Sequence, residues 1–151
     1  MPEEPTVGKI FAGTFPRTVD AKHRVSLPSD WKFTEDDAFY LVPSLDGEYL
    51  AGMLPAEFAA KQSEIRAKVP EDDWPEVRRG VFGAARELRP DKQGRVLIPD
   101  DFCKTIGLVG NALFIGVSDS FEIWDAKKRT EPATKPTLSD EAKKALKRLG
   151  L

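Results

Sequence analysis

The sequence predicts an α+β fold built from two tandem copies of one small unit, related by a pseudo-two-fold within the chain. Three observations carry this. Val19-Asp-Ala-Lys-His-Arg-Val-Ser-Leu-Pro-Ser-Asp-Trp31 is answered by Pro90-Asp-Lys-Gln-Gly-Arg-Val-Leu-Ile-Pro-Asp-Asp-Phe102 at an offset of 71 residues, with Asp20/Asp91, Arg24/Arg95, Val25/Val96, Pro28/Pro99 and Asp30/Asp101 identical. Each copy then continues into two short β-rich runs, Phe39–Val42 and Glu48–Leu50 in the first, Leu113–Val117 and Phe121–Trp124 in the second. Helix signals follow Pro55 and Pro99, so strands and short helices alternate irregularly rather than as βαβ units.

The elements follow in order. An extended stretch (Ile10 to Val19; Ala85 to Arg89) enters a turn at Asp20–His23 or Asp91–Gly94. There an aspartate can accept from the backbone two residues on, and Gly94 can adopt a positive φ. Arg24–Leu27 and Arg95–Ile98 are β-rich and stop at Pro28 and Pro99, residues suited to a first helical turn. Asp100 and Asp101 favour the positive end of a helix through Ile106, which Gly107 terminates. Between the copies, Pro55 opens a helix to Val69 whose Phe58, Ala59, Gln62, Ile65 and Val69 share a stripe, and Pro70 ends it. Trp74–Phe82 predicts a further helix. After Asp125 a stretch with Pro132 and Pro136 reads as a linker, and Ser139-Asp-Glu starts a basic helix through Leu149. The expected divisions are a tail over 1–9, a first repeat with its helix over 10–69, a second repeat over 70–125, and a mobile basic linker and helix over 126–151.

Composition narrows the function. In 151 residues there is one cysteine, Cys103, and one histidine, His23, too few for a four-ligand zinc site or an intrachain disulfide. No phosphate-cradling glycine loop, Gly-x-Ser-x-Gly or His-Glu-x-x-His occurs, so neither an enzyme nor a cofactor or metal is expected, and no small-molecule substrate. The acidic runs Glu35–Asp37 and Glu71–Asp73 read as solvated turns. No apolar run reaches 18 residues and the first five residues are acidic, which predicts a cytoplasmic protein without membrane contact. The net charge is −2, but Ala126–Leu151 holds eight bases against three acids, a net +5, and the rest carries −7. An acidic body can bind DNA only by gathering its arginines on one small face or repeating that face in many copies.

Asp-x-x-x-Arg occurs twice, each time across a turn and at the start of a strand. A carboxylate four residues earlier can hold the planar guanidinium, and a guanidinium so held is organised to meet guanine O6 and N7 or a phosphate. The competing reading is a turn clip that binds nothing. Duplication with unlike intervening residues favours two presenting loops. Lys22, His23 and Arg17 near the first loop, and Lys92, Arg86 and Arg89 near the second, supply candidate backbone contacts.

Gly13, Val19-Asp20 to Arg24-Val-Ser-Leu-Pro28, Asp91 to Arg95-Val-Leu-Ile-Pro99 and Phe121-Glu-Ile-Trp-Asp125 resemble the MraZ family of bacterial transcriptional regulators, over about residues 10–125. The resemblance implies two tandem swapped-hairpin, AbrB-like β-barrel repeats and homo-oligomeric rings associated with the nucleoid. It also implies sequence-specific binding to short direct repeats in double-stranded DNA upstream of the division and cell-wall gene cluster. Carried over, Asp20 with Arg24 and Asp91 with Arg95 become the DNA-contacting motifs. Lys22, His23 and Lys92 lie on the same loops, and Arg17, Arg86 and Arg89 become supporting phosphate contacts. His23 stands where the family pattern has Gly, as Gly94 does in the second copy. The basic tail is either a DNA-phosphate arm or a solvated appendage. Two rivals remain: an AbrB-type, antitoxin-like DNA binder, and an oligomeric protein-interaction module whose Asp/Arg pairs only clip turns.

Overall fold

The computed structural model describes residues 9–129 and 138–151; most of the expected N-terminal tail and the linker around Pro132 and Pro136 lie outside them. Among the described residues eight strands form: β1 (Thr14–Thr18), β2 (Arg24–Ser26), β3 (Phe39–Pro43), β4 (Tyr49–Met53), β5 (Arg86–Leu88), β6 (Arg95–Leu97), β7 (Asn111–Gly116) and β8 (Phe121–Asp125). The helices are α1 (Pro55–Lys68), α2 (Trp74–Val77), α3 (Asp100–Ile106) and α4 (Asp140–Arg148).

The strands make a six-stranded sheet in the order β1-β7-β8-β4-β3-β5 and a separate two-stranded ribbon, β2-β6, all antiparallel where they pair. The order reads the same from either end once the repeats are exchanged. The first strand of each repeat therefore lies against the third-strand equivalent of the other: β1 pairs β7, and β5 pairs β3. This corrects one expectation. The described strands do not close into a barrel; β1 and β5 are the two edges of one open sheet. The physical reason is that β2 and β6 pair with each other in the separate ribbon and so do not extend the sheet beyond its edges β1 and β5.

Alternation places the core on one face of the sheet. Phe39, Leu41, Leu50, Phe114, Phe121 and Ile123 are fully buried there, and Val25 and Val96 close over them from the ribbon. Trp31, on a single 3₁₀ turn after Pro28, inserts its ring between Phe11, Phe15, Phe114 and Phe121 at 5.0–6.1 Å, and its indole N–H donates to Ala12 O at 3.0 Å. Its counterpart Phe102 sits on α3, a full helix that Gly107 ends at φ 65° with its N–H bonded back into the last turn. Pro28 therefore opens less helix than Pro99 does. Gly52 lies directly under Phe121: a Cβ there would stand 2.2 Å from the ring.

On the other face of the sheet, α1 packs through Phe58, stacked on Tyr40 at 4.4 Å. Of its expected stripe, Phe58, Gln62, Ile65 and Val69 are half-buried and Ala59 is exposed. The segment 74–82 divides into the short α2 and a π-helical turn, Arg78–Phe82, that brings Phe82 against Phe58. Ala126 and Lys128 are bonded to the body: Ala126 N–H donates to Asn111 O at 2.9 Å, and the Lys128 ammonium caps the end of α3 at Ile106 O, 2.6 Å. Asp125, buried, accepts from Val109 and Lys127 N–H. Helix α4 starts where expected, with Ser139 Oγ accepting from Ala142 N–H at 3.1 Å. None of the described helices is long and apolar enough to cross a membrane.

Candidate nucleic-acid interface

Both Asp-x-x-x-Arg loops fold the same way. In the first, Asp20 Oδ1 accepts from Lys22 and Arg24 N–H, each at 2.9 Å, and Oδ2 accepts from Arg24 Nε at 2.9 Å. In the second, Asp91 Oδ1 accepts from Gln93 (2.9 Å) and Arg95 (3.0 Å), and Oδ2 from Arg95 Nε at 3.2 Å. The backbone closes each turn: Asp20 N–H to Arg24 O at 3.0 Å and Asp91 N–H to Arg95 O at 2.8 Å. The arginine N–H bonds, foremost the backbone one, hold both carboxylates below the usual aspartate range, so the clips keep their charge at any near-neutral pH. Because the carboxylate takes Nε alone, each guanidinium keeps Nη1 and Nη2 without a partner among the described residues.

The ribbon decides where those forks point. Arg24 lies opposite Leu97, Val25 opposite Val96 and Ser26 opposite Arg95. Opposed residues share a face, so Val25 and Val96 go inward, while Arg24, Ser26, Arg95 and Leu97 all face outward. Ile98 N–H donates to His23 O and Leu27 N–H to Gly94 O, each at 2.9 Å. This register makes 24/97 and 26/95 the closely spaced, non-hydrogen-bonded pairs. The two arginines are diagonal neighbours, about 7–8 Å apart. Two half-exposed forks on one twisted ribbon can enter a major groove, which admits such a ribbon.

The remaining candidates separate. Lys22 and Lys92 are exposed on the loops beside the forks. His23 takes φ 64°, as Gly94 takes φ 76°, so the turn needs the left-handed region in both copies and the histidine accepts it. The imidazole lies against the Asp100 carboxylate through Nδ1, which ties the first loop to the start of α3. Arg86 reaches Asp101 at 2.9 Å and lies over the Phe102 ring; Arg89 donates to Asp36 O at 3.1 Å; Arg17 donates to Pro16 O at 2.8 Å. All three have partners in their own chain. Cys103 is buried, and burial pushes its thiol up to about 11, which makes it a packing residue. No cluster of three or more metal-ligating side chains forms among the described residues. Ser26, Leu97 and Asp100 were not among the sequence candidates. Strict alternation from Arg24 and Arg95 would have found the first two.

Gly94 tests the turn geometry cleanly. A Cβ there would meet nothing within 4 Å, so Gly94→Ala changes the backbone term alone. It is expected to lower stability by about 1 kcal/mol in urea denaturation. A gain in stability would mean that the second turn does not require a positive φ.

Fold and site together define a duplicated α+β protein whose two repeats jointly present a pair of carboxylate-held arginines on one exposed ribbon. Comparison with known proteins places the chain in a family. Residues 81–147 match the family model described as "MraZ protein, putative antitoxin-like", a match that runs beyond residue 125 into α4. The chain is 36% identical over 120 residues to the transcriptional regulator MraZ of Acetivibrio thermocellus, covering 79% of this chain and 83% of the relative. It is 31% identical over 125 residues to that of Lactiplantibacillus plantarum (78% and 84%), and 30% identical over 123 residues to that of Desulfosudis oleivorans (81% and 84%). The chain belongs to the MraZ family.

Proposed function

We propose that this protein is a transcriptional regulator that binds double-stranded DNA sequence-specifically, with the β2–β6 ribbon as its reading element. The observation that carries the reading is the placement of both Asp/Arg clips on one outward face of a two-stranded ribbon, an element that a major groove admits, with their terminal guanidinium nitrogens unpartnered among the described residues. The names of its relatives support the regulatory role. The exchange of first strands between the repeats supports the swapped-hairpin description of the fold.

A homo-oligomeric ring on short direct repeats completes the reading. One ribbon offers two base-reading arginines, each worth roughly 1–3 kcal/mol, on a body of net charge −7 outside the basic tail. Linking several ribbons multiplies affinity by about 10²–10⁴ when the DNA spacing matches. The acidic body then suppresses binding to unrelated DNA. The target is the DNA upstream of the division and cell-wall gene cluster, which places the protein at the nucleoid.

Titration of the full chain onto that upstream DNA and onto a shuffled duplex tests the proposal, with footprinting and light scattering beside it. The expected result is strong preference for the upstream DNA, evenly spaced protections and an assembly larger than a dimer. Equal affinity for both duplexes would leave the Asp/Arg pairs as turn clips, and a monomer at micromolar concentration would remove the ring.

A further inference from the structure

The ribbon is nearly symmetric, and its one outward asymmetry is informative. The pseudo-two-fold exchanges Arg24 with Arg95 and Val25 with Val96, and it exchanges Ser26 with Leu97. Leu97 is 59% exposed on the face that carries both arginines, directly opposite Arg24 in a closely spaced pair and two residues along β6 from Arg95. Its side chain has no part in the core, which Val25 and Val96 fill from the same ribbon. An apolar side chain in that position, beside both arginines, matches one feature of a major groove that no arginine can read: the thymine C5-methyl group.

We propose that Leu97 is a specificity-determining residue that packs on a thymine methyl beside the base met by Arg24. Ser26 offers a hydroxyl at the equivalent place in the other half. The inference rests on the DNA-binding reading above and deepens it. Its consequence is direction. A ribbon with two identical halves would suit a palindromic site, whereas one with leucine on one side and serine on the other fits its site in a single orientation. The orientation of each bound copy then follows the orientation of the element it reads along the duplex.

Deoxyuridine scanning tests this with the full-length protein. Each thymine of the footprinted element is replaced in turn by deoxyuridine, which removes only the methyl group. The expected result is one position per repeat at which affinity falls about three- to fivefold, the scale of one methyl group buried from water. In Leu97→Ser that position should become indifferent to the replacement while the other positions keep their values. Leu97→Ser copies onto β6 the residue that β2 already carries, so the fold should be retained, with a melting temperature within about 2 °C of the parent. Indifference of the parent protein to every replacement overturns the inference, as does an unchanged profile in Leu97→Ser. Equal affinity of the parent for shuffled DNA is a different outcome, the failure of the DNA-binding reading itself.

Discussion

Replacing Arg24 or Arg95 by alanine is expected to weaken specific DNA binding by about 5- to 150-fold each, corresponding to the loss of one good base contact of roughly 1–3 kcal/mol. The fold should survive. Both side chains are more than a third exposed, and their ion pairs with Asp20 and Asp91 lie at the surface, where such pairs contribute little. Thermal stability should therefore stay within about 0.5 kcal/mol of the parent protein. Asp20 and Asp91 would keep their backbone donors, so each turn would stay closed without its guanidinium. Lysine is not expected to restore binding at either position, because an ammonium lacks the planar fork. Filter or fluorescence titration beside a melt separates the outcomes. Normal binding by both alanine variants would make the pairs turn clips, and loss of assembly would make them structural.

The largest effect on stability is expected at Phe121. Its ring is completely buried and touches Phe11, Trp31, Phe33, Phe39 and Phe114 at centroid distances of 5.0–6.4 Å, with Gly52 leaving the space beneath it. Phe121→Ala removes the ring from a strand in the interior of the sheet, where the neighbouring aromatics cannot collapse into the gap without breaking their own contacts. A loss of about 3–5 kcal/mol follows, a large fraction of the roughly 5–15 kcal/mol that keeps a domain folded. Urea denaturation would show it as a lower midpoint at similar slope. A loss below about 1 kcal/mol would mean that the cavity fills, and that this cluster is not the centre of the core.

Much of the local structure was legible in the residue order because its causes are local. Asp20 and Asp91 bond to N–H groups two and four residues on, and Pro28, Pro99, Pro55 and Gly107 mark element boundaries by their own backbone limits. Such effects can be read from a window of a few residues. The helix stripe on α1 was legible too, yet the depth of its burial was not, since that depends on how much of the sheet's outer face is available to cover it.

By itself the sequence determined that this protein is a duplication, where its two carboxylate-held arginines sit, and which strands and helices flank them. Only the tertiary structure decided how the copies combine. β1 pairs with β7 and β5 with β3, so the first strand of each repeat lies in the half of the sheet that the other repeat builds. The β2–β6 register places Arg24, Arg95, Ser26 and Leu97 on one face, and the same contact across the chain lays His23 against Asp100. The physical reason is that strand pairing is a choice among registers separated by many residues: a two-residue alternation specifies which side chains share a face, and the shared core of Val25, Val96 and the sheet's aromatics selects which strands meet.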